Sequence, residues 1–91
     1  MELTFDWDGA NAAHLARHGV TPQEAEQVFA NDPMIVWTRE YAEEERSLCF
    51  GRTSAGKFLT VIYTERKGRI RVVTAYRMTR AQQRMYVTGR C

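Results

Sequence analysis

The stretch "FLTVIYTERKGRIRVVTAYR", residues 58–77, carries two runs of β-branched and aromatic residues on either side of Lys67–Gly68. Such runs favour strands, and a connection this short forces them to be antiparallel. Gly68 suits the positive backbone angle of a tight turn. "FLTVIY" is apolar at both parities, as expected of a central strand covered on both faces. In "RIRVVTAYR", alternation predicts Ile70, Val72, Thr74 and Tyr76 on the face that meets helices, with Arg69, Arg71, Val73, Ala75 and Arg77 on the other. With Arg66 before the turn and Arg80 beyond the strand, five cations are expected to converge on one edge and face of the sheet. Like charges at this density repel unless an anion or an acidic group answers them.

Working outward, "MIVWT" (34–38) and "RSLCFGR" (46–52) read as two more strands. The acidic "EYAEEE" (40–45) and "TSAGK" (53–57) supply the connections, with Gly56 in the second turn. "VTPQEAEQVF" (20–29) holds the clearest helix start. Thr21 stands at the cap, Pro22 at the first helical position and Glu24 three residues after the cap, with Val20 and Ala25 placed as a hydrophobic staple. "NDP" ends that helix because the residue before Pro33 disfavours helical geometry. Before it, "DGANAAHLARHG" (8–19) is a helix that Asp8 can cap and Gly19 stops. "LTFDW" (3–7) alternates Leu3, Phe5 and Trp7 with polar residues and reads as a short strand. "MTRAQQRMY" (78–86) reads as a C-terminal helix with Thr79 as cap and Gln82 at the box position. The predicted order is β-α-α-β-β-β-β-α. That is one α+β domain over residues 1–91, in which a helical hairpin and a C-terminal helix pack on an antiparallel sheet of four to five strands.

No window approaches the roughly 20 apolar residues of a membrane span, and "MELTFDWDG" lacks a basic and apolar leader, so a cytoplasmic protein with no membrane partner is expected. Cys49 lies in an apolar run and Cys91 is the last residue, so a core side chain and a loose tail thiol are expected rather than a disulfide framework. Charge is divided along the chain. Residues 1–45 hold ten acids against Arg17 and Arg39, a balance of −8, and residues 46–91 hold eleven basic side chains against Glu65, a balance of +10. Such asymmetry predicts a basic working surface, which the acids of the other half can frame.

Arginine binds phosphate bidentately and stays charged, and interleaved Tyr76 and Tyr86 could stack on single-stranded bases. His14 and His18 share a helix face, but no further ligand stands at a supporting distance, so no metal or other cofactor is expected. His18 suits a helix C-terminus or proton transfer near neutral pH. A Gly-rich phosphate loop, a nucleophile elbow and a paired-carboxylate motif are all missing from the sequence, which disfavours ATP hydrolysis, acyl transfer and glycosidase chemistry.

Taken in order, Trp7–Asp8, "AHLARHGVTPQEAEQVFANDP" (13–33), Glu45–Arg46, "FGRTSAG" (50–56), "VIYTER" (61–66), "IRVVTA" (70–75) and "MTR" (78–80) resemble the BrnT toxins of type II toxin–antitoxin systems, within the RelE-like ribonuclease superfamily. The similarity runs from about residue 5 to residue 86. The resemblance implies a RelE-like fold that cleaves RNA without a metal. It also implies a cognate BrnA-like antitoxin with a ribbon-helix-helix domain, and contact with operator DNA only through the toxin–antitoxin complex. His18, Arg46, Arg66 and Arg71 stand where BrnT-like proteins have the same side chain. The chain departs from the pattern at Tyr76, where an arginine is usual, at Gln82, where a glutamate is usual, and early in the first helix, where a lysine is missing. On this resemblance the 2′-hydroxyl of RNA attacks the adjacent phosphodiester and His18 or Tyr76 accepts its proton. Arg46, Arg66 and Arg71 stabilise the phosphoryl charge, while Arg52, Arg69, Arg77 and Arg80 steer RNA. The rivals are a toxin-like partner that has lost catalysis and a module that binds single-stranded RNA without cutting it.

Overall fold

A computed structural model describes residues 3–89. Its elements are α1 (Gly9–Ala16), α2 (Pro22–Ala30), β1 (Met34–Tyr41), β2 (Glu44–Arg52), β3 (Phe58–Arg66), β4 (Arg69–Arg77) and α3 (Arg80–Gly89). The sheet is antiparallel in the order β1-β2-β3-β4. This is the predicted α+β order with four strands. Cys91 lies outside the described residues, and no helix among them is long and apolar enough to cross a membrane.

The predicted N-terminal strand is reduced to one bridge. Phe5 pairs with Ile70 in parallel, held by Asp6 N–H to Ile70 O at 2.8 Å and Ile70 N–H to Thr4 O at 2.9 Å. The alternation still has its expected effect, since Phe5 packs on Phe29 and Trp7 on the core. Pairing stops because the next residue is recruited as a helix cap. Asp8 accepts from the N–H groups of Ala10 and Asn11, and the Asn11 side chain accepts from Asp8 N–H, completing a capping box. Asn11 is buried and donates to the carbonyls of Asp6 and Val72, which straps α1 to β4. Left-handed Gly19 (φ 72°) then turns the chain into α2. There Thr21 and Glu24 form the expected box, with Val20 and Ala25 buried beside it.

The acidic segment expected as a connection is mostly strand. Only Ala42 (φ 50°) and Glu43 (φ 66°) form the turn, while Glu40, Tyr41, Glu44 and Glu45 pair across β1 and β2. Two left-handed residues suffice because such a turn matches the twist of the strands it joins. Lys67 (φ 53°) and Gly68 (φ 78°) do the same between β3 and β4.

Side chains alternate between two cores. Cys49, Leu59, Val61, Val72 and Ala75 meet Leu15, Val20, Ala25 and Val28 of the helical hairpin. On the opposite face Leu48 and Phe50 meet Met78 and Tyr86 of the C-terminal segment. β3 serves both, as its two-sided hydrophobicity predicts. Strict alternation in β4 fails at one place. Tyr63 pairs with Val72 and Ile62 with Thr74, so Val73 is an extra residue in the ladder. This bulge puts Val72 and Ala75 on the same face, and Arg77 follows Ala75. Thr74 and Tyr76 therefore lie on the face of Arg69 and Arg71, opposite to the predicted assignment.

Candidate nucleic-acid interface

The strand register lays the α3 side of the sheet out as rows of neighbouring side chains. Met34, Phe50, Thr60 and Tyr76 form one row, and Trp37, Leu48, Ile62 and Thr74 the next. α3 covers this apolar half, with Tyr86 edge-on to Phe50 and Phe58. Beyond it the same face turns cationic. Arg39, Arg46, Thr64 and Arg71 stand side by side across all four strands. The last row pairs Tyr41 with Glu44 and Arg66 with Arg69. Arg46, Arg66 and Arg71, expected to share a site, thus occupy two adjoining rows of one face. Neighbouring strands lie about 4.8 Å apart, so the row from Arg39 to Arg71 spans roughly 15 Å.

Each of those three arginines is answered by a carboxylate of the chain itself. Glu44 joins two of them, accepting from Arg46 Nε at 2.9 Å on Oε2 and from Arg66 Nη2 at 3.0 Å on Oε1. These bonds, Arg46 first, hold the Glu44 carboxyl below its usual range. Arg71, half-buried, places Nη2 at 3.1 Å from Asp8 Oδ2 and Nη1 at 3.6 Å from Asp6 Oδ2. Asp8 is lowered as well, chiefly by the Asn11 backbone N–H that it caps, with the Arg71 charge assisting. Among the described residues, Arg39 and Arg69 have no carboxylate within ion-pair distance. The expectation that acids of the first half frame cations of the second is therefore met side chain by side chain. The back of the same end is acidic. Glu40 and Glu45 pair on the hairpin face, and Glu43, Glu45 and Glu65 line a cleft with Tyr63 there.

His18 and Tyr76 form a separate group. Their ring centroids lie 6.2 Å apart, and His14 lies 5.7 Å from His18. Tyr76 Oη accepts from Gln82 Nε2 at 3.3 Å, and Gln82 Oε1 accepts from Thr60 Oγ1 at 2.9 Å and from Thr79 N–H at 3.0 Å. Thr79 and Gln82 thereby make the cap predicted for α3. Tyr76 and Gln82, two of the places where the resemblance implies other side chains, touch each other as a hydrogen-bonded neutral pair. Tyr76 lies five positions along β4 from Arg71, roughly 15 Å at strand spacing. The sequence placed the arginines and the proton acceptors in one pocket; the fold holds them at opposite ends of α1.

The steering residues divide. Arg69 joins the cationic face beside Arg66. Arg52 closes β2 at the far end, where its carbonyl accepts from Asn31. Arg77 lies on the hairpin face because of the Val73 bulge, and Arg80 begins α3 on its outer side with Gln83 and Arg84. Among the described residues no group of three or more His, Cys, Asp or Glu is placed to hold a metal ion.

Sequence reading passed over Trp37, Arg39, Tyr41 and Glu44. The Arg39 guanidinium lies 4.2 Å over the Trp37 ring and that of Arg46 4.7 Å over Tyr41. The signal was present in "WTREYAEEERS" (37–47), once the turn is confined to Ala42–Glu43: Trp37, Arg39, Tyr41, Glu44 and Arg46 then fall on one face.

A family model described as the ribonuclease toxin BrnT, of type II toxin–antitoxin system, matches residues 7–82. No curated protein matches the chain.

Proposed function

The chain belongs to the BrnT family of ribonuclease toxins of type II toxin–antitoxin systems, and from that membership we propose that it is a metal-independent endoribonuclease whose arginine rows grip the scissile phosphate. The observation that carries this reading is the alignment of Arg46, Arg66 and Arg71 on the part of the sheet face that α3 leaves open. The 2′-hydroxyl of one nucleotide attacks the adjacent phosphorus, the 5′-oxygen departs, and negative charge gathers on the phosphoryl oxygens. Guanidinium groups already fixed in place stabilise that charge without reorganising. Glu44 and Asp8 hold Arg46, Arg66 and Arg71 in position until RNA displaces them.

In this reading the group that takes the 2′-hydroxyl proton is Glu44, which touches two of the gripping arginines. His18 and Tyr76 lie together at the far end of α1, out of hydrogen-bond reach of that phosphate. A cleavage rate already level at neutral pH fits a carboxylate acceptor held below its usual range, and a rate still climbing there speaks against Glu44. The test of the whole reading is RNA cleavage in EDTA by wild type and Arg71→Ala. Loss of one such donor is expected to cost about 10²–10³ in rate. Undiminished cleavage by the variant, or strict dependence on added metal, overturns it.

The partner in this reading is a cognate BrnA-like antitoxin of ribbon-helix-helix type, with operator DNA contacted by the complex. A second reading, a toxin-like partner without catalysis, is favoured by one observation: Arg46, Arg66 and Arg71 are all ion-paired within the chain. Expression without the antitoxin separates the two, since only the ribonuclease arrests growth.

A further inference from the structure

We propose that the β1–β2 hairpin carries a second RNA subsite, made of Arg39 on Trp37 beside the centre's Arg46 and its ring partner Tyr41, that takes the bases and phosphates next to the cleaved bond. This rests on the reading of the arginine rows as the phosphate-gripping centre and extends it across the sheet. Three observations carry it. First, Arg39 stands in the same row as Arg46 and Arg71, so the cationic track continues to the edge strand β1. Second, both guanidiniums lie over a ring, at 4.2 and 4.7 Å from its centroid. Arg39 is exposed as well as seated on a ring, and arginine planes held in this way stack on unpaired bases. Third, Arg39 has no carboxylate within ion-pair distance among the described residues, unlike Arg46, Arg66 and Arg71. A phosphate meets it without displacing an acid.

The geometry also sets a direction. The row runs perpendicular to the strands and spans roughly 15 Å, more than one nucleotide. A single RNA strand therefore crosses the sheet from Arg71 toward Arg39 rather than running along β4 toward Tyr76. Neighbouring bases lie over the two guanidiniums and the exposed ring of Tyr41. The bound species is single-stranded, because stacking on these planes needs bases freed from a duplex.

The test uses 2′-O-methyl RNA, which binds without offering the attacking hydroxyl, as a trinucleotide and as a decanucleotide. Affinities are read by fluorescence anisotropy at two salt concentrations for wild type, Arg39→Ala and Arg39→Gln. Arg39 is exposed, so neither substitution opens the core. Each variant is expected to bind the decanucleotide about 5- to 30-fold more weakly, and Arg39→Ala to lower the salt slope by about 0.7, with trinucleotide binding unchanged. On a long cleavable RNA, KM rises and kcat holds. Wild-type affinity for the decanucleotide in both variants removes the subsite and leaves the arginine centre standing. An equal loss on both lengths also removes it, because the hairpin then belongs to the centre itself. If wild type binds neither length, the RNA reading and the subsite fall together.

Discussion

Glu44 carries more of the site than its place in an acidic run suggests. It separates two arginines that would otherwise repel, giving one carboxylate oxygen to each. Glu44→Gln keeps the shape and removes the charge. Binding of 2′-O-methyl RNA should tighten, because no carboxylate then competes with phosphate, while the cleavage rate falls as Arg46 and Arg66 lose their common anchor. Cleavage at the wild-type rate would remove Glu44 from the centre. Cys49 is the opposite case. Burial pushes its thiol up to about 12, so at neutral pH it carries almost no thiolate and should escape alkylation in the folded chain. Peptide mapping after brief iodoacetamide treatment checks this; modification without denaturant would contradict the core assignment. Cys49 was legible because an apolar run surrounds it. Glu44 was not, because its partners come from positions 2 and 22 residues away and only strand pairing joins them.

At the scale of elements, the starts of helices were the most legible features, since a cap and its box partner lie within four residues. Thr21→Ala removes the acceptor for Glu24 N–H and should cost ~1 kcal/mol of stability, read as a lowered midpoint in urea. Packing between elements was not legible. At Gly51 an added Cβ would lie 2.5 Å from Cγ1 of buried Val28, where α2 crosses β2. Gly51→Ala should therefore destabilise the chain by about 1–3 kcal/mol through overpacking, and a neutral effect would mean that α2 sits further out. The bulge at Val73 is the third case. "RIRVVTAYR" satisfies strict alternation as well as it satisfies a slip, and only the partner strand decides. That slip puts Tyr76 on the face of Arg71 and sends Arg77 to the other.

Across the whole molecule, one end of the sheet carries its arginines toward α3, with Glu44 among them, and Glu40, Glu45 and Glu65 toward the helical hairpin. Three carboxylates also tie distant parts of the fold together. Glu24 binds Lys57, Glu44 joins β2 to β3, and Asp8 joins the start of α1 to β4. All three titrate below their ordinary values of 4.5, 4.5 and 3.8, Glu24 chiefly through its hydrogen bond to Lys57. A depressed carboxylate contributes stability that is complete above its unfolded value and is lost as pH falls through its folded one. The melting temperature should thus hold from neutral pH down to about 5 and decline as the medium is acidified further. Glu24→Gln should flatten part of that decline, and a melting temperature independent of pH below 4.5 would show that these pairs do not support the fold.

By itself the sequence determined the element types, their order and the helix caps, because hydrophobic period and capping chemistry are local and act within a few residues. It also determined that the second half would be cationic. Tertiary structure alone decided which arginines stand together and which carboxylates answer them. It also decided that His18 and Tyr76 lie at the other end of α1. These relations join residues tens of positions apart, and a single extra residue in a strand reverses the face of every side chain that follows.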